Sequence, residues 1–213
     1  MLPNPIILAF DTSAAHCAVA LFAGDDIVSE HIEPMIKGQA ERLFPLCEDV
    51  LANAKISWSD LDAIGVCVGP GNFTGVRVGV SAARGLALSL NKPAIGISKL
   101  EAMGLDSKGT ISVVLDARRK RVYQQFFTDG IPQDQPQLVA LDGINTASAV
   151  IMAADDANIA MFHHQHAPVH SLPNAVARLA AARIGDNHPR PAPLYLQEPD
   201  AALPSEPPVV ILP

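Results

Sequence analysis

A β-prone apolar run, a cluster of glycines and a helical repeat follow one another without a break at Val68-Gly69-Pro70-Gly71-Asn72-Phe73-Thr74-Gly75-Val76-Arg77-Val78-Gly79. A strand that passes through a tight turn straight into a helix is the building unit of an α/β protein. Glycines at such a turn permit positive φ and close backbone approach, and the helix N-terminus turns free N–H groups toward any anion placed there. Two readings follow: a cradle for a phosphate or nucleotide, or a turn whose glycines let the helix lie against its neighbours. No Gly-Lys-Ser/Thr follows, so this is no Walker loop, and Pro70 occupies the turn of a dinucleotide G-x-G-x-x-G.

The flanking pattern sets the order of elements. Pro5–Phe10 is apolar and ends at Asp11-Thr12-Ser13; Cys17–Phe22 is a second apolar run, and Ile27–Ile32 alternates as a half-exposed strand does. Short links make these an antiparallel meander. Gln39–Ala54 then repeats at helical spacing, Leu61–Val68 reads as a buried strand, Val76–Leu90 as a helix rich in small residues, and Ala94–Ile97 as a strand. Ser98 fits an N-cap, with Glu101 as its capping-box partner. The order β-β-β-α-β-α-β-α is the layout of the RNase-H-like core of actin-like ATPases. A second, degraded copy follows. Ile111–Leu115 ends at Asp116 as the first strand ends at Asp11; Val122–Phe127 returns; helix is expected over Asp142–Ala153, strand over Ala157–Met161 and helix over Pro173–Ile184. The fold class is α/β, a duplicated actin-like (ASKHA) architecture. Its expected units are 1–104, 105–188 and a Pro-rich tail, 189–213, which holds eight of the 18 prolines and reads as an extended arm.

Composition narrows the function. A net charge of −7 argues against a broad basic surface that grips nucleic acid. The three cysteines, Cys17, Cys47 and Cys67, sit in apolar runs without C-x-x-C spacing and read as core packing in a reducing compartment. Residues 1–10 lack a basic n-region, and the longest charge-free stretch, Ala157–Ala177, carries four histidines and two prolines. Neither a signal peptide nor a membrane span is expected, which leaves a soluble cytoplasmic protein.

Ile7-Leu8-Ala9-Phe10-Asp11-Thr12-Ser13, the Gly69–Gly79 segment and Asp116-Ala117-Arg118-Arg119, in this order, resemble the TsaB (YeaZ) family over Ile6–Tyr123. The resemblance implies a dimerisation subunit of the bacterial tRNA threonylcarbamoyladenosine machinery. Such a subunit pairs with the catalytic paralogue TsaD and the ATPase TsaE, forms a homodimer when alone, and meets tRNA indirectly. The chain departs from the family at Gln39-Ala40-Glu41, where His-Ser/Thr-Glu is usual, and at Lys120-Arg121, where Gly-Glu is frequent.

Actin-like ATPases hold phosphate with D-x-G-[ST] turns. Here the turns read Asp11-Thr12-Ser13 and Asp116-Ala117-Arg118, and no Gly-Gly pair occurs to grip adenosine. Asp11, Thr12 and Ser13 are thus degenerate phosphate-loop positions. The metal-binding histidines of TsaD, aligned through Pro93-Ala94-Ile95, fall on Lys99 and Met103, which do not suit a hard or borderline metal. His166 and His170 have His-x-x-x-His spacing, but Pro168 between them opposes a helix. No catalytic residue, cofactor or metal is therefore assigned. An actin-like kinase or ATPase and an M22-type glycopeptidase-like protein stand as the alternatives. The helix Val76–Leu90 is apolar on two sides, so one side faces its sheet and the other either a second helix of this chain or a partner. With the resemblance, the expected partner interface comprises Glu41, Arg42, Leu43 and Leu46 on the first helix and Val76, Val80, Ala83, Arg84 and Ala87 on the second.

Overall fold

The computed structural model describes residues 4–144, 149–152, 165–185, 187 and 189–197, the side chains of 149–152 and 165 excepted. Strands β1 (Ile6–Asp11), β2 (His16–Ala23) and β3 (Asp26–Pro34) form the expected antiparallel meander. Helix α1 spans Gln39–Ala54, strand β4 spans Ala63–Cys67, helix α2 spans Phe73–Leu90 and strand β5 spans Ala94–Ile97. Strand β4 lies parallel to both β1 and β5, which completes a sheet of order β3-β2-β1-β4-β5.

The second half repeats this order. Strands β6 (Thr110–Asp116) and β7 (Arg121–Thr128) pair antiparallel, as β1 and β2 do. Strands β8 (Ile131–Pro132) and β9 (Gln137–Ala140) both add to β7, while β10 (Ala149–Met152) runs parallel to β6 and β11 (Gln165–His166) parallel to β10. Two sheets with the same arrangement around β1 and β6 make this the duplicated actin-like fold. The short β8, β9 and β11 are where the second copy has worn down.

Several boundaries differ from expectation for local reasons. Helix α2 starts three residues early because Asn72 caps it: its side-chain oxygen accepts the Gly75 N–H at 2.9 Å. Ser98 caps α3 (Lys99–Gly104) and accepts from Glu101 N–H at 3.0 Å, but the Glu101 carboxylate pairs with Arg183 instead of closing the box. The helix expected over Asp142–Ala153 is absent where the chain is described: Leu141–Gly143 is a single 3-10 turn and Ala149–Met152 is strand β10. Gly143 disfavours a helix, and the β-branched Val150 and Ile151 favour a parallel strand over a helix. The strand expected over Ala157–Met161 lies outside the described residues.

Sheet one is covered on both faces, as parallel strands require. Leu8, Phe10, Val19, Leu21, Ile64 and Val66 face α1 and α2. Ile7, Ala9, Ala20, Ile95 and Ile97 face α4 (Leu172–Arg183) through its alanines 175, 177 and 180. Helix α4, although it follows the second half in sequence, thus closes the first sheet. The described part of the proline-rich tail, residues 189–197, holds no helix or strand and is docked. Leu194 N–H donates to Val68 O at 2.8 Å, Leu194 packs on the first core, and Leu196 reaches the cluster of Leu100, Ile111 and Phe127.

The start of α2 is seated against the turn that ends β1. Asn72 N–H donates to Ser13 O at 2.7 Å, and the Thr12 hydroxyl donates to Gly75 O at 2.6 Å. A Cβ on Gly75 would lie 1.9 Å from Thr12 O, and one on Gly71 2.4 Å from Ser13 O. These glycines are thus there for backbone approach, the second of the two readings. We predict that Gly75→Ala, which must push the helix off the sheet, costs at least about 2 kcal/mol in urea unfolding. A loss under about 0.5 kcal/mol would show that the two segments do not interlock.

Candidate functional site

The turn after β1 stands where the resemblance would put a phosphate loop, and its three residues are bonded within the chain. Asp11, Thr12 and Ser13 are all buried. Asp11 Oδ1 accepts the Ser13 N–H at 2.9 Å and Asp11 Oδ2 pairs with His16 Nε2 at 2.5 Å. Ser13 Oγ faces Cys67 Sγ at 3.7 Å, and Thr12 is spent on Gly75. The second turn repeats the first bond, with Asp116 Oδ1 accepting Arg118 N–H at 3.0 Å. There Arg118, Arg119 and Lys120 all adopt positive φ, a conformation glycine would take at less cost.

Burial by itself would raise the Asp11 carboxyl. The hydrogen bond and charge of His16, with Lys99 and Ser13, outweigh it and hold the group below its ordinary value of 3.8. Asp11 therefore enters the folded state as a carboxylate stabilised by its partners. Lys99, one of the two positions aligned with the metal-binding histidines, donates its amide to Gly69 O at 2.6 Å and contributes charge to Asp11. Met103, the other, is buried among Leu100, Val113 and Phe127. Neither position has the chemistry of a metal ligand. His170 pairs with Asp106 at 2.8 Å and His166 is exposed, while His163 and His164 lie outside the described residues. No metal-type cluster of His, Cys, Asp and Glu occurs among the described residues. Cys17, Cys47 and Cys67 are buried free thiols; burial raises all three, Cys17 to about 11, so they are inert packing groups.

The residues expected at a partner interface divide in two. Leu43, Leu46, Val76, Val80 and Ala83 belong to the monomer's own core, with Ala83 0% exposed. This corrects the expectation. The stripe Val76-Val80-Ala83 carries the compact β-branched and small side chains that fit against β-strands, so it turns toward the sheet. Ala87 is half-buried; Glu41 and Arg84 are exposed; Arg42 is half-exposed and bridges Glu33 at 2.7 Å and Asp49 at 3.0 Å. The outward face of α2 instead carries Ser81, Gly85 and Ser89 at four-residue spacing, together with Arg77, Arg84 and the 84% exposed Leu88. On α1, Phe44, Pro45, Glu48 and Ala52 look outward.

One cluster on this face was not legible in sequence. The Arg77 guanidinium stacks 3.7 Å above the Phe73 ring, and its Nε donates to the Tyr195 hydroxyl at 2.8 Å. The rings of Phe73 and Tyr195 are 5.4 Å apart, and about half of each residue is exposed. Tyr195 arrives from the tail, 118 residues beyond Arg77, so no local spacing announces the contact.

The Asp11–His16 pair gives a pH test. A carboxyl held below its ordinary value contributes stability that is present above pH 3.8 and lost as pH falls through the folded-state value. We predict that the stability advantage of the wild-type chain over Asp11→Asn, from urea unfolding between pH 7 and pH 3, holds constant down to about pH 4 and shrinks only below it. An advantage that already closes between about pH 6 and pH 5 would mean that Asp11 is protonated in the fold.

The family model described as "TsaD: tRNA N6-adenosine threonylcarbamoyltransferase" matches residues 27–135. An uncharacterized protein of Mycobacterium tuberculosis is 33% identical over 197 residues, 92% of this chain and 93% of its own. The tRNA threonylcarbamoyladenosine biosynthesis protein TsaB of Bacillus subtilis is 38% identical over 120 residues, 55% of this chain and 52% of its own; this chain thus matches about half the length of that relative. The crystal structure of YeaZ from Pseudomonas aeruginosa superposes with a TM-score of 0.72 at 26% identity, over 90% of this chain and all of that one. No described helix is long and apolar enough to cross a membrane. The family match over the strand–turn–helix core, the TsaB relatives and the YeaZ superposition agree: the chain belongs to the TsaD family, on its TsaB (YeaZ) branch.

Proposed function

We propose that this chain is a non-catalytic, partner-binding subunit in threonylcarbamoylation of the adenosine next to the anticodon of tRNAs that read A-starting codons. It docks a TsaD-type catalytic subunit in the cytoplasm, works beside a TsaE-type ATPase, and pairs with itself when alone. Family membership supports the pathway. The closed turn at Asp11–Ser13 supports the non-catalytic role, because groups that would meet a phosphate are spent on the start of α2.

The observation that carries the docking role is Gly85. It sits in the fourth turn of an 18-residue helix, exposed, with no atom of the described residues outside its own helix backbone within 4 Å of where a Cβ would stand. A glycine in a helix interior costs about 1 kcal/mol relative to alanine, and nothing within the chain recovers that cost. A helix of another subunit that lies close over Ser81, Gly85 and Ser89 would recover it, since small residues let two helix axes approach. The charges agree with such a pairing. Exposed Glu41, Glu48 and Asp49 make the α1 face acidic, and Arg77 and Arg84 make the α2 face basic, so a two-fold axis sets opposite signs against each other. Phe44 and Phe73 supply aromatic anchors beside them.

The test separates face from fold. Gly85→Ala should raise the stability of the isolated chain by about 0.5–1 kcal/mol. Gly85→Trp should leave it folded and at least as stable as wild type, yet monomeric in sedimentation, unable to pull down the co-expressed TsaD of the same organism and unable to support tRNA modification in vitro. A folded Gly85→Trp chain that dimerises, captures TsaD and supports modification at wild-type levels would place the interface elsewhere. A charge at Ala83 would only probe the monomer core.

A further inference from the structure

Four of the chain's 15 lysines and arginines stand side by side in Arg118-Arg119-Lys120-Arg121, and no other two of them are adjacent in the sequence. They make up the turn from β6 into β7. Arg118, Arg119 and Lys120 are exposed and Arg121 is partly so. In a chain of net charge −7 this is a concentrated patch of the opposite sign. Asp116, next to the turn, spends Oδ1 on the Arg118 amide, and Asp142 lies in the adjoining 3-10 turn.

The backbone does not need these charges. Residues 118, 119 and 120 have φ of 62°, 52° and 57°. Side chains with a Cβ take this left-handed region at a cost that glycine avoids and asparagine reduces. At the other described left-handed positions outside glycine, the chain uses a single Asn, Asp or Lys: Asn4, Lys55, Asn91, Asp106 and Asp129. The turn is nevertheless pinned. Ala117 N–H donates to Arg121 O at 2.9 Å, Arg121 N–H to Arg118 O at 3.0 Å and Leu141 N–H to Lys120 O at 2.9 Å. These are main-chain bonds, which glycine or asparagine would form as well. Three long cationic side chains in succession are thus carried by a backbone that favours other residues, on a hairpin tip fixed at both sides. Tyr123 joins them. It stands two residues beyond Arg121 on β7, hence on the same face of the sheet, is partly exposed, and feels the charges of both Arg121 and Arg118.

We propose that the Arg118–Arg121 turn binds the phosphate backbone of the substrate tRNA, so that this chain meets the RNA directly at one place. The inference rests on the tRNA-modification reading above and adds a contact to it. Guanidinium and ammonium groups in a row suit successive phosphates, and an aromatic ring beside them suits a neighbouring base or ribose. The rest of the chain is net negative and repels RNA. A single fixed basic tip on such a surface sets the register of the tRNA more than it supplies bulk affinity.

The experiment uses the full chain in complex with the TsaD and TsaE of its own organism. Fluorescence anisotropy follows binding of a labelled transcript of a tRNA that reads an A-starting codon, over a series of KCl concentrations. Arg118→Asn/Lys120→Gly removes two cations with residues that suit the left-handed backbone. Arg118→Lys/Lys120→Arg keeps both charges. Lys108→Asn removes an exposed cation at the opposite end of β6. The charge-removing pair should capture TsaD as wild type does, yet bind tRNA about tenfold more weakly and flatten the slope of log affinity against log salt by about 1 to 2, as loss of two phosphate contacts requires. Lys120→Gly alone should show about half that change in slope. The charge-keeping pair and Lys108→Asn should match wild type. The inference is overturned if the assembled complex keeps its tRNA affinity and salt slope after the charge-removing pair, or if Lys108→Asn weakens binding as much. Loss of TsaD or TsaE from that variant's complex in the absence of tRNA would also overturn it and assign the turn to an acidic protein surface. A wild-type chain that captures no TsaD would instead refute the subunit reading, and this inference with it.

Discussion

Thr12 O and the Cα of Gly75 approach so closely that not even a methyl group fits between the end of β1 and the start of α2. That contact fixes how α2 lies on the first sheet. Once it is made, Val76, Val80 and Ala83 fall into the core, the Thr12 hydroxyl reaches Gly75 O, and Ser13 O receives the Asn72 amide. The opposite side of the same helix is then committed to the outside. The close-packed turn at Asp11–Ser13 and the exposed face of α2 therefore have one origin.

Much of the first half was legible because each signal there is local. Apolar runs mark β1 and β2, alternation marks β3, the 3.6-residue period marks α1, and the bounds of α1 and β5 agree with the sequence residue for residue. The second half was harder because its elements are short and their stability is tertiary. Ala149–Met152 is a strand through its parallel pairing with β6, information that a four-residue window does not contain. Docking of the tail is similarly non-local. Leu194 and Tyr195 reach Val68 and Arg77 across more than a hundred residues, and a proline-rich composition predicts only that such a segment is extended.

The candidate site was legible in kind but not in orientation. In the structure the amides of Ser13 and Arg118 donate to the Asp11 and Asp116 carboxylates, and Gly71 and Gly75 lie against the Ser13 and Thr12 carbonyls, the packing reading of those glycines. Which side of α2 faces out was not decidable, because both stripes are apolar and either would suit a sheet. The burial of Val76, Val80 and Ala83 against the sheet turns Ser81, Gly85 and Ser89 outward. The Phe73–Arg77–Tyr195 stack adds anchoring groups to that face. Because Tyr195 belongs to the tail, the tail helps to shape this exposed face of α2, the one proposed to meet a partner.

The claim on which the rest depends is that packing of the chain on itself has replaced phosphate binding at the Asp11 turn. Calorimetric titration of the isolated chain with Mg-ATP addresses it most directly. With Thr12, Ser13 and the start of α2 bonded to one another, binding should be undetectable or weaker than about 100 μM. A dissociation constant below about 10 μM, equivalent to roughly −7 kcal/mol, that is lost in Asp11→Ala would contradict the account and return the chain to the ATP-binding members of the fold.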